Sequence, residues 1–222
     1  MIIMTNDKVR IHQRVQDVMN VDELYNYIYR YVHDNNMEQS IMALEMANEC
    51  HKEQTRMEGG PYIIHPLTIA RHAISLGIKE DNIIATMLLH DVCEDCNISE
   101  TSMPINDIVK AGVKAMTFEV KPGEDKEEAR LKYFARLIDN REATITKMFD
   151  RCNNVSTMAL IFSRKRLVKY INETDKHVIP LIQQARIRYP EFEQICFAVE
   201  YQMNCMLNSV EMLLEFNDSK RV

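Results

Sequence analysis

The chain has 222 residues, 46% of them hydrophobic, and a formal net charge of -6 at pH 7. That length and composition allow one medium domain with a sizeable core, while the negative balance argues against broad nucleic-acid binding, which needs a basic face. No stretch approaches the roughly 18 apolar residues of a membrane span, and the opening MIIMTNDKVR lacks the basic and then apolar regions of an export signal.

Only five glycines and six prolines punctuate the chain, and methionine is abundant, a profile that predicts an all-α protein. Val21 to Tyr31 is tyrosine-rich and helix-compatible, and Asp34-Asn35-Asn36 reads as a break. Met37 to Cys50 repeats apolar residues at helical spacing, and HKEQTRMEGGPY is a polar loop. His65-Pro66 opens the next helix, which Gly77 stops near Leu76. Asp81 or Asn82 is expected to cap the helix that carries His90. Helices follow over Ile105 to Thr117, Lys126 to Leu137 and Thr144 to Phe162, separated by a connection at Glu100 to Pro104 and the charged loop EVKPGEDKEE. Two more are expected at Leu167 to Arg188 and Pro190 to Phe216. Residues 1–222 are thus read as a single domain, with a motif core over about 50–160 and C-terminal helices over 167–216.

Six cysteines are scattered through the chain, which suits reduced thiols in the cytoplasm. Cys93 and Cys96 have the spacing of a zinc or redox pair, but no second CxxC accompanies them, so they are read as structural thiols.

The segment MLLHDVCED places His90 and Asp91 at the end of an apolar run, with Glu94 and Asp95 three and four residues beyond Asp91. Charges there need compensation, because desolvating them costs several kcal/mol. On a later helix, Asp150, Asn154 and Thr157 recur at i, i+4 and i+7 as a polar stripe. With His65 at the mouth of a third helix, two imidazoles and two carboxylates can meet, a mixed set suited to Mn²⁺, Fe²⁺ or Zn²⁺ rather than Ca²⁺. Lys52, Arg56, Lys147 and Arg151 can offer charge-assisted bonds to phosphates, although Lys147 and Arg151 read equally well as surface charges.

The order His…His-Asp…Asp resembles the HD-domain phosphohydrolases. Three segments, HKEQTRMEGGPYIIHPLTIA, LLHDVCED and KMFDRCNNVSTM, are similar to motifs of the RelA/SpoT-homologue hydrolase domain, in the same order. The resemblance implies an HD-type helical bundle that hydrolyses the 3′-pyrophosphate of ppGpp or pppGpp. It implies His65, His90, Asp91 and Asp150 as ligands of Mn²⁺ or another divalent transition metal. Glu94 and Asp95 fall on the acidic pair that handles the attacking water, and Arg56, Asn154 and Thr157 on nucleotide contacts. A small hydrolase-only member acting on a nucleotide is expected, with neither nucleic acid nor membrane as partner.

Three positions depart from the pattern, among them Glu53, which stands where a glycine is expected. Met57 stands where a basic residue is expected, and Val178 where a tyrosine helps hold the base. Both loosen the expectation of guanine specificity more than that of hydrolysis. Two alternatives therefore accompany it: an HD phosphohydrolase acting on another nucleotide, and a non-catalytic nucleotide-binding module of the same fold.

Overall fold

A computed structural model of the protein describes residues 20–57 and 59–219, with side chains as far as residue 215. Eleven α-helices run in order among the described residues: α1 Val21–Asp34, α2 Glu38–Cys50, α3 Ile64–Ser75, α4 Asp81–Leu89, α5 Val92–Asp95, α6 Asp107–Met116, α7 Lys126–Asp139, α8 Arg141–Ile161, α9 Arg164–Glu173, α10 Ile179–Arg188 and α11 Glu193–Ser219. Short 3-10 turns occupy Glu100–Ser102 and Pro190–Phe192. The all-α expectation holds: the described residues contain no strand, only an isolated bridge between Thr55 and Pro61.

Helix α4 is the hub. Every residue from Ile83 to Leu89 is buried, as expected of a helix that is apolar all round. It packs against α2, α3, α6 and α8. Complete burial of each large aliphatic side chain is worth about 1.5–3 kcal/mol, so α4 is anchored before any polar contact is counted. Its crossing with α6 is close: a Cβ on Gly112 would lie 2.9 Å from Thr86 Oγ1. The 21-residue α8 runs alongside with Ile145, Met148, Phe149, Cys152, Val155 and Met158 buried. On α11, buried Cys196, Val199, Met203 and Leu207 form a stripe at helical spacing that docks on α8 and α10.

Most helix starts follow local chemistry. Asn20, Asn106, Asp125, Asn140 and Ser163 each accept a backbone N–H of the first turn they precede. The expected cap of α4 is different. Asp81 and Asn82 lie inside that helix, and Asp81 caps α2 instead, accepting the N–H groups of Gln39 at 2.9 Å and Ser40 at 2.7 Å. The side chain serves a neighbour because α2 and α4 pack side by side.

The helix expected over Leu167 to Arg188 is also divided. Thr174–Val178 forms a π turn in which the Ile179 N–H reaches Thr174 O. Pro180 explains it: a proline N cannot donate to the turn before it, so the chain widens its register there before α10 resumes. No described helix is long and apolar enough to cross a membrane.

Candidate metal centre and cleft

His90 and Asp91 sit where the chain turns from α4 into the single turn α5. The greasy helix ends there because it has reached the inner end of a cleft. His65 arrives from the first turn of α3 and Asp150 from the middle of α8. His65 Nε2 lies 3.6 Å from Asp91 Oδ2 and 3.3 Å from Asp150 Oδ1. His90 Nε2 lies 3.0 Å from Asp91 Oδ2 and 3.8 Å from Asp150 Oδ1. The four residues thus meet at one point, and the ligand atoms of His65, His90 and Asp91 all fall within 4.8 Å of one another.

Surrounding hydrogen bonds aim these side chains. His90 Nδ1–H donates to Met87 O at 2.9 Å, and His65 Nδ1–H to Asn153 Oδ1 at 2.7 Å. Each imidazole is thereby fixed in the tautomer that leaves its Nε2 lone pair directed at the carboxylates, the usual support for a ligating histidine. Tyr62 Oη donates to Asp91 Oδ2 at 2.6 Å. Lys147 Nζ and Asn154 Nδ2 donate to the two oxygens of Asp150 at 2.8 and 2.6 Å.

The fit to a cation is visible in what stays uncompensated. His90 Nε2 is buried without an aligned hydrogen bond, which is costly unless something else meets it. Burial alone would keep His90 neutral, but the Asp91 carboxylate, backed by Asp150, lifts its pKa to about 9. Burial opposes charge on Asp91 and Asp150 too, yet His90 beside Asp91 and Lys147 beside Asp150 hold both carboxyls below their ordinary range. The corner therefore demands positive charge. With an ion displacing the proton from His90, two imidazoles and two carboxylates suit a divalent transition metal.

From this corner a cleft of about 390 Å³ opens outward, lined by Arg56, Met57, Tyr62, Glu94, Asp95, Lys147, Asn154 and Thr157 among others. Asp150, Asn154, Thr157 and Ile161 follow one side of α8 along it, a run of roughly 16 Å at 1.5 Å per residue. Glu94 and Asp95 lie on its floor, one turn beyond Asp91. Glu94 Oε1 accepts the Phe118 N–H at 2.6 Å. Its carboxyl is exposed to the cleft, but crowding strips enough water from it to raise its pKa.

Two expected phosphate contacts lie elsewhere. Lys52 is exposed outside the cleft lining, 3.9 Å from Glu49, because it belongs to the surface turn after α2. Arg151 is buried, donating to Glu173 at 2.8 Å and Thr174 Oγ1 at 3.2 Å, with its guanidinium 4.1 Å over the Tyr170 ring. Its charge is already answered, and it lines an adjoining cavity of about 170 Å³ that Asp91, Glu94, Lys147 and Asp150 border as well. Val178 is fully buried in the π turn and does not reach the cleft lining, whereas Met57 does. The cysteines of the CxxC go separate ways: Cys96 Sγ contacts Cys50 O at 3.3 Å, while Cys93 is directed to Thr117. His72 packs edge-on against Phe149 as a core contact.

The residues that sequence reasoning did not single out are the supports, Tyr62 and Asn153. Tyr62 stood in the Gly-Gly-Pro-Tyr segment and Asn153 beside Asn154, so position was available as a signal but their function in aiming a ligand was not.

Comparison with known proteins agrees with this geometry. Residues 43–121 match the family model described as the HD domain. The chain is 33% identical over 143 residues to the guanosine-3′,5′-bis(diphosphate) 3′-pyrophosphohydrolase of Aquifex aeolicus, covering 63% of this chain and 20% of that one. It is 26% identical over 193 residues to the protein of the same name from Vibrio cholerae, covering 81% and 26% respectively. It therefore spans about a fifth to a quarter of the length of these curated relatives. A solved structure of a metazoan ortholog of SpoT, which hydrolyzes ppGpp, superposes with a TM-score of 0.56 at 20% identity, over 70% of this chain and 94% of that one. That likeness shows the shared HD fold.

Proposed function

We propose that this chain hydrolyses the 3′-pyrophosphate of ppGpp, pppGpp or a closely related nucleotide, giving GDP or GTP and pyrophosphate. The observation that carries the reading is the convergence of His65, His90, Asp91 and Asp150 at the inner end of a cleft that Arg56, Asn154 and Thr157 also line. We take these four as the ligands and Mn²⁺ as the ion. Bound there, it supplies charge neutralisation to phosphate oxygens and acidifies water.

The remaining work falls to the chain itself. Glu94 and Asp95 orient the attacking water and accept its proton from the cleft floor. Burial raises the pKa of Glu94, which makes it a better proton acceptor than a fully solvated carboxylate. Water adds at the phosphorus attached to the ribose 3′ oxygen, that P–O bond breaks, and the ribose oxygen takes a proton as pyrophosphate departs. Lys147 holds Asp150 and adds positive charge beside the phosphates. Arg56, 5.9 Å from the Tyr62 ring, and the polar pair Asn154 and Thr157 flank the nucleoside. Arg151 acts from outside the cleft as a tie between α8 and the π turn.

We read the chain as one hydrolase unit, supported by a buried cluster that runs from Ile28 to Leu207. Its partner is a small-molecule nucleotide, and its setting is the cytoplasm, where its cysteines stay reduced. A second reading, hydrolysis of another 3′-pyrophosphorylated nucleotide, is favoured by Met57 in the cleft wall and by the burial of Val178. Chromatography of ppGpp after incubation with the chain and Mn²⁺ tests the proposal. GDP and pyrophosphate in equal amounts are expected. Stepwise release of single phosphates, or an untouched substrate, would refute it.

A further inference from the structure

The outer end of the cleft carries a cation that the chemistry above does not use. Arg166, in the first turn of α9, lines the cleft together with Phe162, Ile161 and Met57. Its guanidinium lies 3.8 Å over the Phe162 ring, and its Nη1 contacts Met57 Sδ at 3.7 Å. Phe162 is itself braced edge-on by Tyr170 at 5.3 Å. The head group is thus seated against an aromatic ring in the cleft wall.

Arg166 makes no ion pair with a carboxylate among the described residues. Lys147, also in the cleft wall, is bound to Asp150, and Arg151 and Arg130 share Glu173. The four carboxylates of the cleft, Asp91, Glu94, Asp95 and Asp150, all gather at the opposite, inner end. The cleft is therefore polarised, acidic inside and basic at the rim.

A thioether is a weak acceptor, so the Met57 contact yields readily to a stronger one. A fork of guanidinium N–H groups matches phosphate oxygens better than any other ligand atoms a nucleotide offers. We infer that Arg166, seated on Phe162, is the specificity-determining contact for the second phosphate group of the substrate, the one on the ribose 5′ oxygen. This rests on the proposed 3′-pyrophosphohydrolase reading, in which the 3′ group occupies the inner end. It makes the enzyme selective for nucleotides phosphorylated at both ends over those phosphorylated at the 3′ end alone.

The test compares ppGpp with guanosine 3′-diphosphate bearing a free 5′-hydroxyl, for the wild type, Arg166→Gln and Arg166→Lys. Loss of a charge-assisted bond predicts a rise in KM for ppGpp of about tenfold or more in Arg166→Gln, with kcat moving less. The effect on the 5′-hydroxyl substrate should be several-fold smaller, and Arg166→Lys should recover most of the loss. Equal losses on both substrates, or no loss on either, would overturn the inference. Binding of GDP by calorimetry separates this from the hydrolase reading. A chain that cleaves nothing but binds GDP about tenfold more weakly on Arg166→Gln refutes hydrolysis and supports Arg166. GDP bound equally by both proteins refutes Arg166.

Discussion

The two ends of the cleft are built on different principles. At the inner end each candidate ligand is held from behind: His65 by Asn153, His90 by the Met87 carbonyl, Asp91 by Tyr62 and Asp150 by Lys147 and Asn154. These groups are buried or nearly so. At the outer end, Met57 and Arg166 are exposed and touch each other only through a weak N–H···S contact. Chemistry at a phosphorus atom needs fixed donors, since small displacements of a reacting group cost large factors in rate. Recognition of a base or a distal phosphate tolerates adjustment, so that end is free to vary.

The sharpest way to break the contrast is at the inner end. His90→Ala or Asp91→Ala should abolish turnover, by at least about a thousandfold, because several kcal/mol of charge stabilisation leave with the ion. Metal analysis of the purified variants checks the cause: retained metal with lost activity would reassign these residues. The paired change Glu94→Gln with Asp95→Asn should cost about a hundredfold or more while metal content is kept, the scale of general acid–base assistance. Loss of metal in step with activity would make them ligands.

Asn153→Ala probes the support and not the ligand. It frees His65 to rotate, and metal affinity should fall by about 10- to 100-fold. A titration matching the wild type would show that the surrounding hydrogen bonds do not tune the corner. Gly112→Ala tests the scaffold: it presses a methyl group on Thr86 and should destabilise the fold by about 1–3 kcal/mol without altering metal content per folded molecule. Unchanged chemical denaturation would mean that α4 and α6 can part at little cost. The smallest effect belongs to the outer end. With Val178 turned into the core and Met57 in place of a cation, kcat/KM for ppGpp should exceed that for ppApp by no more than about tenfold, the scale of a missing polar contact.

The same contrast explains how much could be read from the sequence. His65, His90, Asp91 and Asp150 were legible because each stands in a helix-compatible run whose apolar flanks make a polar residue conspicuous. The helices themselves were legible from periodicity and punctuation. Asp81 misled because a capping residue is recognised by the helical run just after it in the chain, whereas this one serves α2 across the core. Arg151 and Lys52 misled because sequence gives a charge but not its partner: one is answered by Glu173, the other stays on the surface. The division of the helix at Thr174–Val178 needed Pro180 to be read as a register change within a continuous helical path. Phe162 and Arg166 belong to no motif, and only folding brings them to the cleft opposite Met57.

One measurement bears most directly on the claim that His65, His90, Asp91 and Asp150 hold the ion that hydrolysis needs. The chain is stripped with a chelator, and ppGpp turnover is then followed as Mn²⁺ is added back, with bound metal determined at each step. The account predicts no turnover by the stripped chain, activity rising in proportion to occupancy, and a plateau at one ion per chain. Full turnover of ppGpp by the metal-free chain, or activity indifferent to occupancy, would contradict it.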